Sequence, residues 1–570
     1  MRVLAVLVFA LAVAAPAAAA AHSSEGQATR AFLRNDKVSD WLDRYPADQI
    51  VDDASYDAKS GEWTVHVWSG KAGEVARGKV DDRTGRVLEA WTGPQVAWKM
   101  ARGYPGAFGG RTINRPAVWL ALCAVFLVGL VDWRRPLSLR TLDLLVLLSF
   151  SGSLWFFNHG DVFTSMPLAY PVFGYLIARL AWIGLRGRSP SRRAAFWPVW
   201  LLAAATVFLA GFRIGLNLEG SNVIDVGYSG VVGAHRIVHG EMPYRHMPAQ
   251  GKLKACGKAD AEGEIRDRIQ TNGRCESSNE RGDTYGPAAY EAYVPGYLLF
   301  GWSGKWDRLP AAHFTAIAAD LLALIGIALV GLRFGGLSLA ACLAFAWAAY
   351  PFTQYASNSN TNDTLPALFL IWGFWLVSSN FARGVFAALA AWTKFGPLVV
   401  APLWAGYPEA VRLRRPRGPL VYAGGFLAAT AAAFSILLLE PDPLHAARVF
   451  WNRTFGWQLG RESPFSIWDW GQYDAAGIPD LHLVHYVVIG AVMVAAVLAA
   501  FYPRRRSPLQ LAALTGGLIV GFELVLTHWS YLYIPWFFPF VAFAVLAPTR
   551  REPEEPPAAV EREPELVAAG

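Results

Sequence analysis

The sequence predicts a polytopic α-helical membrane protein of about eleven spans and a re-entrant hairpin, with a small exported α+β domain at its N-terminus. Three observations carry that prediction. The 570 residues are 54% hydrophobic, 14% aromatic and only 17% charged, with a mean hydropathy of +0.28, which excludes an ordinary soluble globule. Apolar runs long enough for a bilayer recur from Pro116 onward. Arginines cluster in the short links between alternate runs, the positive-inside pattern. That distribution accounts for the net charge of +7 and sets nucleic acid aside as a partner.

Taken in order, residues 1–21 read as a signal peptide: Arg2, an apolar core over 3–13, then an Ala-rich stretch to Ala20 and Ala21. An uncleaved anchor is the alternative, and either one exports the segment from residue 22 onward. Residues 22–112 are polar, with a helix-like run over 28–45 and strand-like runs over 62–68 and 74–92, the second broken by Asp82-Arg83-Thr84-Gly85 as a hairpin turn. The stretch GKVDDRTGRVLEAWTG is similar to the repeat of PepSY-type domains.

Spans are expected at 116–132, 142–157, 167–185, 196–213, 311–332, 337–351, 364–379, 419–439, 482–502, 508–527 and 530–548. The first three, over 113–195, precede a core at 196–548. With the N-terminal domain outside, the interior links hold Arg134, Arg135 and Arg140, then 186–193, Arg333, Arg383, 412–417, 504–506 and 550–551. Between Arg383 and Arg412 the apolar stretch breaks at Thr393-Lys394-Phe395-Gly396-Pro397, which favours two half-helices. A re-entrant hairpin with a lysine at its break is tolerated only when buried in protein or lining a cavity; the alternative is that Lys394 snorkels to an interface. The tail, 549–570, is Pro/Glu-rich and expected to be disordered in the cytoplasm.

This topology collects polar residues on the outer face: Asp161, Asp225, a loop at 354–363, a loop at 440–480 and His528. Asp225 comes after the fourth span and precedes a short amphipathic helix, near the bilayer surface, where partial desolvation raises a carboxylate's pKa toward that of a useful base. Its bland alternative is a helix N-cap. Within the spans Asp320 and Glu523 stand out, and Asp320 is expected to be paired; Asp161 and Asp320 are the alternative acids. A polar, aromatic-rich surface on one side of a bundle suits chemistry between a lipid-embedded donor and an external acceptor. A channel would distribute polar groups along its path. A transporter predicts paired charges within spans and repeat symmetry, neither of them legible here, and a haem reductase would need paired intramembrane histidines.

Four segments in order carry a resemblance: VIDVGYSGVVGAHRIVHGEMPY; YGPAAYEAYVPGYLLFGW with RLPAAHFTAIAADLLAL; YASNSNTNDTLPALFLIWGFWL with FARGVFAALAAWTKFGPLVVAP; and SPFSIW with THWSYLYIPWFFP after it. In these the chain resembles GT-C fold glycosyltransferases, and most of all the family 87 group that uses polyprenyl-phosphate sugars. The resemblance implies transfer of a sugar, mannose or similar, from a polyprenyl phosphate donor to a lipid, glycan or protein acceptor outside the plasma membrane. Asp225 would be the general base of an inverting reaction. The leaving phosphate needs fixed positive charge or donors, for which the candidates are Lys394, His528, Arg453 and Arg461. Asn358, Asn360, Asn362, Asp363 and Tyr285 are the candidates for sugar or acceptor contacts. No cofactor is expected, and no clustered carboxylates mark a metal, although a divalent ion is left open.

Two departures accompany the resemblance. The catalytic loop comes after the fourth span where the family's usually comes after the first, and the insertion over 245–283 holds Cys256 and Cys275, which in an oxidising compartment suggest a disulfide. Trp451, Trp457, Trp468 and Trp470 fit either sugar stacking or interfacial anchoring. The competing reading from another class is a non-catalytic scaffold or sensor of cell-envelope assembly.

Overall fold

The N-terminal segment packs two helices on a sheet. The computed structural model describes residues 22–103, 106–244, 267–269, 275–277, 285–304, 309–412, 416–456 and 462–548. The expected signal peptide, the C-terminal tail, Arg461, Trp457 and the Cys256–Cys275 pairing lie outside the described residues. Instead of one helix over 28–45 there are two, α1 (Glu25–Leu33) and α2 (Asp36–Leu42), because Asn35 takes an extended conformation as the N-cap of the second. Four strands come next, β1 (Ile50–Asp57), β2 (Glu62–Ser69), β3 (Gly73–Asp81) and β4 (Val87–Thr92), antiparallel in chain order. Gly78 is glycine for a packing reason: a Cβ there would run into the Phe32 ring of α1 and the Glu89 carbonyl. The edge strand β1 was not expected, since IVDDASYD buries only Ala54 and so lacks the alternation that marks a half-buried strand.

Beyond the N-terminal segment the described residues are mostly helical, apart from a short strand pair, Asp267–Ile269 with Cys275–Ser277; the principal helices are α3 (Pro116–Leu130), α4 (Leu139–Asn158), α5 (Val162–Arg186), α6 (Val199–Gly220), α7 (Asp225–Val238), α8 (Pro310–Ala349), α9 (Thr364–Trp375), α10 (Asn380–Ala391), α11 (Arg417–Phe434), α12 (His482–Phe501), α13 (Pro508–Leu524) and α14 (Ile534–Leu546). Among the described residues six helical segments are long and apolar enough to cross a membrane: α4, α5, α6, α8, Arg417–Leu439 and α12. Their exposed residues include Val207, Phe208, Leu483 and Val487, each more than 60% exposed. So much uncovered apolar surface is the mark of a helical membrane protein. Seven of the eleven expected spans overlap these segments. The other four, at 116–132, 364–379, 508–527 and 530–548, are helices of 12 to 17 residues, or about 18–26 Å at 1.5 Å per residue, against a hydrocarbon core of about 30 Å.

The two spans expected at 311–332 and 337–351 belong to α8, which turns back on itself at Gly336 (φ 71°, ψ −168°). The Trp347 indole donates to Asp320 at 2.9 Å, whereas 27 residues of continuous helix would separate them by about 40 Å. Only glycine tolerates that left-handed φ at low cost. A second reversal comes after α10: Arg383 at its start donates to the carbonyls of Trp404 and Tyr407 at 3.2 and 2.7 Å, so both ends of the segment broken at 393–397 return to one place.

The spans are also more charged inside than the sequence suggested. Arg213 of α6 makes a bidentate pair with Asp320, at 2.8 and 2.5 Å, and Arg179 of α5 pairs with Asp143 of α4 at 3.0 Å, where the Tyr175 hydroxyl donates at 2.6 Å. Asp320 is thus paired as expected. Paired charges within the spans, not legible in the sequence, are present in the structure, and each pair joins neighbouring helices that would otherwise bury a lone ion.

The helix ends gather into two groups. At one, Arg140 donates to Leu130 and Arg193 carbonyls at 2.8 Å each, Gln510 to Gly184 at 3.0 Å, and Arg506 to Gly406 and Ala499. At the other, Asn158 meets Asn114 at 2.9 Å and Asn222 donates to Gly106 and Ala107. The sheet-bearing segment docks on this second end. Tyr45 donates to the Tyr473 carbonyl at 3.0 Å, Trp41 stacks on Phe163 at 5.4 Å, and Gln95 donates to Gly160 at 2.9 Å.

Candidate functional site

The site is built where five stretches of chain meet at the second end. The turn leading into α9 holds its backbone through Asn360, which has a left-handed φ of 52°. The Asn360 amide donates to Ser221 Oγ at 2.8 Å and the Asn222 carbonyl at 2.6 Å, and accepts from Asn217 at 2.9 Å. Those contacts pin the end of α6 to the turn. α7 then packs against it at Gly227, where any Cβ would strike the Asn360 carbonyl. Further along α7, Gly230 and Gly233 admit the rings of Tyr293 and Tyr290 from the 285–293 stretch, and Gly286 abuts the Trp392 carbonyl beside the hairpin break. α14 closes the ring of contacts by donating from the Trp536 indole to the Asp363 carbonyl at 3.0 Å.

At the centre Lys394 Nζ lies 2.6 Å from Asp363 Oδ1, the two side chains 7% and 1% exposed. The ammonium also stands over the rings of Tyr285, Tyr533 and Trp536 at 4.6, 4.9 and 5.8 Å, a cation–π cage. Thr361 donates to Asp363 Oδ2 at 2.6 Å. Lys394 is therefore held in the interior and does not snorkel. The neighbouring Phe395 packs on Phe455 at 4.2 Å, which brings the turn Asn452–Gly456 and its Arg453 against the same break.

Asp225 is the first residue of α7, one position inside the N-cap Ile224, so the N-cap alternative is corrected. It is half-buried, and its Oδ1 accepts the Val226 N–H at 2.9 Å. A carboxylate there is favoured by the helix dipole. The helix it begins is buried over residues 226–234 and becomes accessible toward its C-terminal end.

The stretch 354–363, expected as an exposed loop, is entirely buried. Its first half completes the short helix Pro351–Asn358, and Asn360 acts as framework. Among the described residues no hydrogen-bond partner meets the buried Gln354 Oε1, Asn358 Nδ2 or Asn362 Oδ1. Such groups are costly unless water or a ligand meets them.

Two expected residues lie elsewhere on the same end. His528 shares a hydrogen bond with Ser463 at 2.8 Å between the rings of Phe465 and of Trp98, the latter from the sheet-bearing segment. Asp161 caps α5, accepting from Thr164 at 3.0 Å. It borders a crevice of about 290 Å³ between α5 and that segment. Trp468 and Trp470 donate to the carbonyls of Leu524 and Pro464; both are buried, which makes them packing groups.

Glu291 also escaped the sequence reading. It ends the short helix Pro287–Glu291, which follows Tyr285 in the chain, and its carboxyl is pushed up to about 7 by burial. A lone acid among the aromatics of YGPAAYEAYVPGYL was the available signal. Among the described residues no group of three or more His, Cys, Asp or Glu side chains could hold a metal ion. No family model matches the chain, and no curated protein or solved structure matches it.

Proposed function

We propose that the chain is a GT-C-like membrane glycosyltransferase that moves a sugar, mannose or similar, from a polyprenyl phosphate to a lipid, glycan or protein acceptor outside the plasma membrane. The observation that carries this reading is the buried Lys394–Asp363 pair beneath Tyr285, with the turn before Asp363 packed at Asn360 on Gly227, in the first turn of the helix that Asp225 begins. Asp225 takes the proton of an acceptor hydroxyl, whose oxygen attacks the anomeric carbon. The bond from that carbon to the phosphate oxygen breaks on the opposite face, with inversion. Lys394 is the fixed positive charge for the departing phosphate, shared with Asp363, and Arg453 and Arg461 are further candidates. The arginine-rich opposite end supports an orientation with this site outside. The PepSY-like segment docks on the same outward end.

The test is a paired assay of wild type and Asp225→Asn in lipid, with a panel of radiolabelled polyprenyl-phosphate sugars. Loss of transfer by about 10²–10⁴-fold in a folded variant is expected of a missing base. Transfer surviving in the variant moves the base to Asp363 or Glu291. No transfer by either protein from any donor favours the scaffold or sensor reading.

A further inference from the structure

Among the described residues the helical bundle fully buries four carboxyl groups, those of Asp143, Asp320, Asp363 and Glu523. Three have a cation within ion-pair distance: Arg179 at 3.0 Å, Arg213 at 2.5 Å and Lys394 at 2.6 Å. Glu523, 1% exposed, is the exception. Its Oε2 accepts the Trp529 indole N–H at 3.0 Å, and its Oε1 is buried with no hydrogen-bond partner. Around that indole stand the rings of Phe150, Phe173 and Tyr531.

An ionised carboxylate with one neutral donor in such surroundings is the most costly state the group could take. A neutral carboxyl avoids the charge, but it then carries an O–H that no group among the described residues accepts. The titratable groups in electrostatic reach are Asp363 and the Tyr350 phenol, neither of them cationic. His485 bonds the nearby Val525 carbonyl at 2.8 Å. Phe522, adjacent in the chain, packs over Gly396, two residues past Lys394.

We propose that Glu523 carries its proton at neutral pH and that its Oε1 hydroxyl donates to an oxygen of an anionic ligand, a phosphate ester headgroup bound at the Lys394 cage. An ionised carboxylate at this position would repel an anion, whereas the neutral acid binds it. The identity of the ligand rests on the glycosyltransferase reading; the protonation rests on the charge inventory alone.

The experiment is difference infrared spectroscopy on the full-length protein in detergent, wild type against Glu523→Gln, at neutral pH. A carbonyl stretch of a protonated, buried carboxyl is expected in wild type and absent from the variant. It should shift when a polyprenyl monophosphate is added. A shift with inorganic phosphate as well identifies the phosphate group itself as sufficient, and a shift with the lipid alone requires the whole ester. A band that neither probe moves overturns the ligand assignment, and no band difference between the two proteins overturns the protonation.

Thermal stability supplies a second readout. An unfolded glutamate ionises near about 4.3, so a proton retained in the fold makes wild type lose stability relative to Glu523→Gln as pH rises from about 5 to 8. A stability difference that stays constant over that range, or moves in favour of wild type as pH rises, would sink the proposal. A band that moves with the lipid phosphate in a protein that transfers no sugar keeps this inference and removes the glycosyltransferase reading instead.

Discussion

The two ends of the bundle bury polar groups by opposite means. At one end guanidinium groups close off helix termini: Arg383 reaches the carbonyls of Val377, Trp404 and Tyr407, and Arg140 and Arg506 act alike. Each positive charge there meets neutral dipoles, and the arginines read from the sequence as link charges turn out to be carbonyl clamps as well. At the other end the charge is matched ion for ion, Lys394 against Asp363, among amides and tyrosines that leave several polar atoms unsatisfied. Buried polar atoms without a partner among the described residues occur at both ends, Arg506 Nε and the Tyr422 hydroxyl at the first. What sets the second end apart is a buried ion pair whose cation an anionic ligand can share.

The sharpest way to break this contrast is Lys394→Met, which strands Asp363 as a buried anion. A destabilisation of about 3–5 kcal/mol is expected, largely relieved in the Lys394→Met/Asp363→Asn double variant. Denaturant or thermal unfolding of the four members of the cycle measures it, and additive effects would mean that the pair is not coupled. At the opposite end Arg383→Leu leaves several carbonyls unmet and should cost about 2–3 kcal/mol. Arg383→Lys should rescue little, since an ammonium cannot reproduce the planar fork that spans carbonyls on both sides.

Glu291 sharpens the contrast through pH. Its carboxyl, pushed up to about 7 in the fold, contributes stability that is fully present below an unfolded value of about 4.3 and is lost as pH rises through about 7. Glu291→Gln should therefore gain on wild type by about 2–3 kcal/mol between pH 4.5 and pH 8, read from unfolding curves across that range. A constant difference would place Glu291 in water. The smallest effect expected is at the docking surface: Tyr45→Phe removes one hydrogen bond to the Tyr473 carbonyl and should cost about 0.5–1.5 kcal/mol. Protease protection of the sheet-bearing segment is its readout. Burial holds that phenol up at about 12, so the effect should not vary between pH 6 and pH 9.

The helical membrane architecture was legible because apolar runs and arginine links are written directly in composition and spacing. Lys394 stood out for the same reason, as a charge inside an apolar break. Asp363 was placed in a loop on its polar neighbours, SNSNTND, yet the structure buries the whole stretch. Polar residues that satisfy one another in an interior have the composition of a surface loop, and one sequence alone does not separate the two. Asp143, Arg179 and Arg213 were passed over because each lies alone in its own span; only the packing of α4 on α5 and of α6 on α8 makes them pairs. Trp98 lies about 430 positions before His528 in the chain, a separation that left no periodicity to read.

That separation also orders the protein's biogenesis. Tyr45 finds its acceptor 428 residues later, and Trp41 is covered by Phe163 and Tyr473 together. At about 5–20 residues per second, the first hundred residues wait roughly 20–90 s for the partner loop to be synthesised. Through that interval the aromatic face that later rests on the bundle stands open, so a ribosome stalled before residue 473 would release a chain whose earliest-made segment still shows it to a chaperone or a protease.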